Sequence, residues 1–346
     1  MRTSGPRFLF LQTNQRCNLR CTHCHYWLLN DDYSAEYLSL KRRRQLLREF
    51  AEIGGETVVT CGGEPMLDLD AYIDLMQACR EYGLGCMSVI NGTQVQTIEM
   101  AQAMCMDGPS EITVSLDHWI PAEHDRLRGV VGSHAMAVRA IELLLKARTE
   151  TRDLPIHVMT ILSEDTWPTL DKFFEFVFNL GLDLGTDRVD KLKLNVIQPT
   201  FQGKGKDRYF DNARVSDVDA CMAMIRACDE RWNIPRNPAW LADVEMYLRS
   251  VNSCSTRLMG WSNAGTTEAI CNSYDRNIMI DLYGKARLCF SHSYPAVQLN
   301  NRGDLTSFWH EHSLPIRESM IGCKQFCGIS HSVRATSSLL KLKGQG

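Results

Sequence analysis

The sequence lacks a long apolar run. No stretch of eighteen apolar residues occurs in the 346-residue chain, and the first fifteen residues contain only the short run Phe8-Leu9-Phe10-Leu11. A membrane-spanning helix needs about 20 apolar residues, and the apolar segment of a secretory signal peptide needs about 7–15. The sequence therefore predicts a cytoplasmic chain with neither a membrane span nor a signal peptide.

The sequence also lacks an excess of positive charge. The chain has 38 Lys and Arg residues against 41 Asp and Glu residues, a net charge of −3. Because nucleic-acid-binding domains usually carry a basic surface, this balance argues against nucleic acid as a partner. Apolar residues make up 44% and charged residues 23% of the chain, which excludes general disorder. A chain of this length predicts about two domains.

Cysteine is the residue type in excess. The chain has 14 cysteines, and disulfides are rare in the cytoplasm, so we expect metal ligands, reactive thiols and small buried residues among them. Five of them lie in apolar helical stripes, in a buried strand or near a helix end, and we predict that they are structural: Cys79, Cys86, Cys105, Cys221 and Cys228.

Short β-rich runs alternate with amphipathic helical stretches in the first part of the chain. The predicted strands are Phe8–Thr13, Thr57–Cys61, Cys86–Ile90, Glu111–Leu116, Pro155–Ile161 and Leu192–Gln198. Several of these runs are apolar on both faces, as is typical of buried parallel strands. The pattern predicts an α/β fold, a partial (β/α)6 TIM-like barrel over residues 1–215, in which chemistry lies on the loops after the strands.

The alternation ends after about residue 200. We predict a helical linker over residues 216–254 and a small C-terminal domain over residues 255–346. The second unit is expected to contain one hairpin, formed by Ile278–Asp281 and Ala286–Phe290, and a helix at Leu314–Met320.

Three cysteines, Cys17, Cys21 and Cys24, follow the first predicted strand. Thiolates that converge on one loop favour an iron–sulfur cluster or zinc. Structural zinc sites prefer four ligands in paired spacing, which this motif lacks, although His23 or His25 would provide a fourth ligand. Three ligands on a four-iron cluster would leave one iron open to a small molecule.

Further motifs follow the next three predicted strands. They are Gly62-Gly63-Glu64-Pro65, then Ile90-Asn91-Gly92-Thr93, then Ser115-Leu116-Asp117 with His124-Asp125-Arg126-Leu127-Arg128-Gly129. Together with the three cysteines, and in this order, they resemble the motifs of the radical S-adenosylmethionine (radical SAM) superfamily. The resemblance runs from the first predicted strand to the sixth. It implies a [4Fe–4S] cluster on Cys17, Cys21 and Cys24 that binds S-adenosylmethionine (SAM).

The resemblance also implies SAM contacts. Glu64 is expected to pair with the SAM ammonium, Asn91 and Ser115 to contact its ribose and carboxylate, and Arg128 to pair with the carboxylate. His25 stands where the family usually has Tyr or Phe, and we expect its ring to stack on adenine. Two residues are expected to let the backbone approach the ligand closely: Gly62 and Gly63.

A second group of cysteines lies near the C-terminus. Cys271, Gly284 and Cys289 fit the opening of the auxiliary-cluster extensions called SPASM and twitch, and Cys323 and Cys327 follow. Four cysteines resemble the shorter twitch type, which implies a second, fully ligated [4Fe–4S] cluster. A zinc ribbon with four cysteine ligands is the alternative.

The resemblance implies that the first cluster, reduced by a donor such as flavodoxin or ferredoxin, cleaves SAM to a 5′-deoxyadenosyl radical that abstracts hydrogen from a substrate C–H bond. The second cluster would then accept an electron, giving oxidation. Alternatively Cys254 would return a hydrogen atom, giving epimerisation; Cys61 is a weaker candidate for a thiol that faces the active site.

Because the barrel begins by residue 8, we expect no leader-peptide-binding domain before it. This favours a small polar metabolite such as a sugar, aminocyclitol or nucleoside in natural-product biosynthesis. A maturase of a ribosomally made peptide is the alternative enzyme. A non-catalytic zinc-binding adaptor is the alternative from another class.

Overall fold

The structure is a computed structural model that describes residues 5–24, 26–28, 37–150, 154–182, 190–197, 214–253, 273–289 and 294–321. Nine strands lie in these residues: β1 (Phe8–Asn14), β2 (Thr57–Gly62), β3 (Gly85–Ile90), β4 (Glu111–Ser115), β5 (Ile156–Leu162), β6 (Leu192–Val196), β7 (Asn277–Ile280), β8 (Lys285–Arg287) and β9 (Val297–Gln298). They form one sheet in the order β6-β5-β4-β3-β2-β1-β7-β8-β9.

The six strands predicted from the sequence are all present, each within one or two residues of its predicted bounds. Neighbours from β1 to β6 pair in parallel, so their carboxyl ends lie along one edge of the sheet. The prediction of an α/β fold is confirmed. The loops after these strands, which carry the motifs, therefore come together.

Helices connect the strands. They are α1 (Leu40–Glu52), α2 (Leu69–Glu81), α3 (Ile98–Asp107), α4 (Pro121–Arg128), α5 (Ser133–Glu150), α6 (Leu170–Asn179), α7 (Val218–Arg231), α8 (Pro238–Ser253), α9 (Ser273–Arg276), α10 (Asp304–Ser307) and α11 (Leu314–Met320). Four of them begin after a side chain that accepts a backbone N–H of the first turn, which fixes their starts: Ser39, Asp68, Thr97 and Asp217. None of the described helices is long and apolar enough to cross a membrane.

The two faces of the sheet have different roles. Alternate residues of the strands, such as Leu9, Val58 and Ile112, pack against the helices in the main core. The five cysteines predicted to be structural are buried in this core, which confirms that prediction. Side chains on the opposite face of β1, β2 and β7 form a separate small cluster around Phe10 and Met279.

The predicted hairpin near the C-terminus is present as β7 and β8, which pair antiparallel. The turn between these strands is stabilised by the Asp281 carboxylate, which accepts the backbone N–H groups of Tyr283 and Lys285 at 3.0 and 2.9 Å. Gly284 in this turn has φ +82°. The hairpin does not form a sheet of its own, since β7 pairs in parallel with β1. The strands β7, β8 and β9 of the predicted C-terminal unit thus continue the main sheet.

Candidate active site

The three N-terminal cysteines lie on a loop, Gln15–Cys24, that leaves the carboxyl end of β1; we call it the cysteine loop. Cys21 is 6% exposed, and Cys17 and Cys24 are partly buried. Two of the three sulfurs face an N–H donor: the backbone N–H of Leu19 lies 3.5 Å from Cys17 Sγ, and Arg128 Nη1 lies 3.9 Å from Cys21 Sγ. N–H donors aimed at sulfur are typical surroundings of iron–sulfur ligands.

Burial governs the acidity of these thiols. It raises the pKa of Cys21 to about 12, although the nearby guanidinium of Arg128 opposes the shift. Burial also raises the pKa of Cys17. Both thiols are therefore neutral at pH 7 unless a metal draws off the proton. Among the described residues, no group of three or more His, Cys, Asp and Glu side chains is close enough together to hold a metal ion. The donor set of three thiols is nevertheless the one that soft iron–sulfur sites use.

The Gly-Gly turn after β2 packs directly on the cysteine loop. The backbone N–H of Gly63 donates to Asn14 O and that of Glu64 to Arg16 O, both at 2.9 Å. A Cβ on Gly63 would overlap Arg16 O and lie 2.6 Å from its carbonyl carbon, and Gly62 has φ +112°. The close approach that the two glycines allow in the structure is to the chain's own backbone.

Glu64 is buried behind the turn, with 3% exposure. Its two carboxylate oxygens accept the backbone N–H groups of Asn91, at 2.8 Å, and Met66, at 3.3 Å. Burial raises the pKa of Glu64 to about 7, and these two hydrogen bonds partly offset the effect. A cation next to this carboxylate would favour its charged form, so the expected pairing with the SAM ammonium fits the site and remains a prediction.

Asn91 joins the end of β3 to the cysteine loop. Its side-chain nitrogen donates to Asn18 Oδ1 at 2.8 Å, and its oxygen accepts the Thr93 hydroxyl at 2.7 Å. Asn18 in turn donates to the Thr93 hydroxyl at 2.8 Å. Asn18 was not among the predicted site residues, although its place between two of the cysteines was a signal. This closed network positions the loop from a second strand.

Arg128, the last residue of α4, lies between Asp117 and the cysteine loop. Its Nε is 2.6 Å from Asp117 Oδ2, and both side chains are buried. Burial raises the pKa of Asp117, but Arg128 with His23 and His124 outweighs it and lowers the pKa to about 2. The guanidinium therefore faces Asp117 and Cys21 of its own chain, and its expected pairing with the SAM carboxylate stays a prediction.

The rest of the segment from His124 to Gly129 has local roles. His124 Nδ1 accepts the backbone N–H of Asp117 at 3.1 Å. The Asp125 carboxylate accepts the backbone N–H groups of Gly132 and His134, at 2.6 and 2.8 Å, and so holds the start of α5. Gly129 ends α4 at φ +69° and packs against Arg20 of the cysteine loop. The backbone of α4 also accepts the N–H groups of two loop residues, at 2.9 and 2.8 Å: Arg20 and Thr22.

Ser115 and His23 lie close to the same site. Ser115 is 7% exposed at the carboxyl end of β4, beside Met159 of β5 in the sheet. His23 Nε2 is 3.9 Å from Asp117 Oδ2, and burial lowers the pKa of His23 to about 4, so this ring is uncharged at pH 7. Cys61 is partly buried on the face of Phe10 and Met279. The structure thus brings the cysteine loop together with the motifs after β2, β3 and β4.

Several predicted residues lie outside the described ranges. They are His25, Cys254, Cys271, Cys323 and Cys327. Of the predicted auxiliary ligands, Cys289 is described and is partly buried just beyond β8.

The fold and this site define an α/β protein with a cysteine-rich ligand loop at the carboxyl ends of its parallel strands. Residues 11–177 match the family model described as "Radical SAM superfamily". This match and the fold support a radical SAM superfamily enzyme. Members of that superfamily are enzymes that use SAM and a [4Fe–4S] cluster.

Three similar proteins illustrate the relationship. An "AdoMet-dependent heme synthase" of Oleidesulfovibrio alaskensis is 30% identical over 175 residues, which is 51% of this chain and 43% of the relative. A "PqqA peptide cyclase" of Bradyrhizobium diazoefficiens is 24% identical over 227 residues, 65% of this chain and 55% of the relative. The crystal structure of Streptococcus suis SuiB bound to S-adenosylmethionine superimposes with a TM-score of 0.64 at 13% identity, covering 99% of this chain and 75% of SuiB. The chain spans about half the length of the curated relatives, and the SuiB likeness shows the fold alone.

Proposed function

We propose that Cys17, Cys21 and Cys24 hold the SAM-binding cluster and that the enzyme abstracts hydrogen from a C–H bond of a small polar metabolite, giving oxidation or epimerisation. The observation that carries this proposal is the cysteine loop, fixed from β2, β3 and α4 with N–H donors on two of its three sulfurs. When bound and reduced, the cluster would supply the electron that splits SAM into methionine and a 5′-deoxyadenosyl radical.

The face of the sheet opposite the helices supports a polar substrate. At the carboxyl ends, Gln12 of β1 pairs in register with Cys61, and Ile161 of β5 pairs with Asn195 of β6. Ser115 lies on the same face, because it pairs with Met159, two residues from Ile161. Amide, hydroxyl and sulfur groups interleaved with apolar ones suit a substrate that has several heteroatoms on a carbon ring.

At the amino ends of β4 to β6, this face carries a charged group. Lys193 Nζ is 2.5 Å from Glu111 Oε1 and 3.0 Å from the Thr113 hydroxyl, and His157 Nε2 is 3.3 Å from the same Glu111 oxygen. Lys193 is paired within this group, so we propose that the group closes this end of the sheet's face. The substrate would then enter from the carboxyl ends, where the cysteine loop lies.

The described residues beside the C-terminal cysteines support the proposal of an auxiliary [4Fe–4S] cluster on Cys271, Cys289, Cys323 and Cys327. Ser273, two residues after Cys271, donates its hydroxyl hydrogen to Leu288 O, the residue before Cys289, at 2.8 Å. α11, which ends three residues before Cys323, packs against α9, which begins at Ser273. The described segments nearest to three of the four cysteines in sequence are thus in contact with one another. A four-thiolate zinc site on the same four cysteines is the alternative.

α8 supports a role for Cys254. The Tyr247 hydroxyl donates to Ile197 O, which directly follows β6. This bond holds α8 at the carboxyl end of β6, and Cys254 is the residue that follows α8. We propose that Cys254 returns a hydrogen atom to a substrate radical.

A peptide maturase is the second candidate, favoured by the similarity to a PqqA peptide cyclase over 65% of this chain. Release of 5′-deoxyadenosine from SAM by the reduced enzyme should rise with the correct class of substrate. We would compare aminocyclitols, nucleosides and sugars with short peptides. Stimulation by peptides alone would refute the small-metabolite proposal, and no release with any reductant would refute the catalytic one.

Turnover in deuterated water then separates the two outcomes. Deuterium at a product carbon that is lost in Cys254→Ala but retained in the matched variant Cys61→Ala would support epimerisation. An oxidised product without deuterium would support electron transfer to the auxiliary cluster.

A further inference from the structure

Arg128 makes a contact that the proposed chemistry does not yet use. Its side chain is 7% exposed, with Nε at 2.6 Å from Asp117 Oδ2 and Nη1 at 3.9 Å from Cys21 Sγ. The helix that carries it is fixed to the cysteine loop by two backbone hydrogen bonds, from Arg20 to Arg128 O and from Thr22 to Leu127 O. The guanidinium is therefore held against one sulfur by both backbone and side-chain contacts.

The charges around this sulfur single out Arg128. An arginine guanidinium stays protonated in proteins, and that of Arg128 is paired with the buried Asp117 carboxylate, with Nε 2.6 Å from Asp117 Oδ2. Asp117 and Glu64 are the carboxylates whose charges act on this group. Arg128 is thus a permanent cation whose Nη1 lies 3.9 Å from Cys21 Sγ.

A hydrogen bond or positive charge at a ligand sulfur stabilises the reduced, more negative state of an iron–sulfur cluster and raises its reduction potential. We propose that Arg128 is a positioning residue that sets the reduction potential of the SAM-binding cluster through Cys21, with Asp117 limiting the effect. The electron itself comes from an external one-electron donor of the flavodoxin or ferredoxin class. This inference rests on the proposed assignment of the cluster to the cysteine loop.

The test is a redox titration of the reconstituted, SAM-free protein, followed by the electron paramagnetic resonance signal of the reduced cluster. The signal of the cluster on the cysteine loop is the part of the wild-type spectrum that is missing in the triple variant Cys17→Ala, Cys21→Ala, Cys24→Ala. For Arg128→Gln we expect the ratio of reduced to oxidised cluster at a fixed potential to fall about tenfold, a shift of about 59 mV to lower potential. Asp117→Asn should shift the potential in the opposite direction, because it removes the charge that opposes Arg128.

Arg126→Gln is the matched control. Arg126 lies on the same helix, but it is half exposed and pairs with Glu123 and Asp165 at 2.9 and 2.8 Å. Its variant should keep the wild-type potential. If Arg128→Gln does not assemble the cluster, Arg128→Lys, which keeps the charge but loses the planar fork, replaces it and should show a smaller shift in the same direction.

A wild-type potential in the Arg128 variants would overturn the proposal, and weaker SAM binding at that unchanged potential would instead assign Arg128 to the SAM carboxylate. An Asp117→Asn shift in the same direction as Arg128→Gln would also overturn it. Such a result would indicate a general loosening of the loop, whose effect on the potential does not depend on the sign of the charge removed. A wild-type protein that holds no iron on the cysteine loop would refute the proposed function, which is a separate result.

Discussion

Gly129→Ala tests whether α4 holds the cysteine loop. Gly129 ends α4 with φ +69°, and a Cβ there would overlap Arg20 O and lie 2.8 Å from Arg20 Cβ. Gly132, three residues later, has φ +85° and open space around its Cβ position. The two substitutions therefore share the backbone strain, and the contact with the loop belongs to Gly129 alone.

The magnitudes follow from these two terms. An L-residue in the left-handed region costs about 1–2 kcal/mol, which is the whole expected loss for Gly132→Ala. Gly129→Ala adds an overlap that only a shift of Arg20 relieves, and overpacking of this kind costs roughly a further 1–3 kcal/mol. Because Arg20 precedes Cys21, the shift should also lower the iron retained by the loop.

Urea titrations of both variants would measure the difference in the free energy of unfolding, and iron analysis after anaerobic reconstitution would measure cluster retention. Gly132→Ala should keep wild-type iron, and Gly129→Ala should lose part of it. Equal free-energy losses, together with equal iron contents, would refute the claim that α4 supports the loop.

Two further predictions concern stability. Asp190→Asn should cost about 3–5 kcal/mol in chemical denaturation, because it leaves Arg148, 2.6 Å away and equally buried, without its counter-charge; a loss below about 1 kcal/mol would contradict this. Burial raises the pKa of Glu111, but His157 and Lys193 outweigh it and lower the pKa from 4.5 to about 2. Its contribution is therefore fully present above about pH 4.5 and is lost as the pH falls towards 2, so the stability difference between wild type and Glu111→Gln should shrink over that range. A difference that stays constant with pH would count against the ion pair.

The sheet was predictable because its signals are local. Runs such as Thr57–Gly62 are apolar on both faces and end at glycine, so strand identity and position follow from a few neighbouring residues. The pairing of β7 with β1 joins residues about 270 positions apart. No local pattern encodes such a contact, and the hairpin was therefore expected in a separate unit.

The sequence predicted which motifs form the site, but not all the contacts that each of their residues makes. The strand ends place the motifs together, as parallel topology requires. The contacts of Gly63 and Arg128 with the cysteine loop, at Arg16 and Cys21, were not predicted, and their expected contacts with the ligand stay predictions. A motif fixes which residues meet, but the partner of each side chain depends on packing that one sequence does not display.

The central claim is that the cysteine loop holds a [4Fe–4S] cluster and the C-terminal cysteines hold another. Iron analysis of anaerobically reconstituted protein tests it most directly. We predict about eight iron atoms per chain, falling to about four when Cys17, Cys21 and Cys24 are all changed to Ala. Stoichiometric zinc without iron would contradict the account and favour a zinc-binding adaptor.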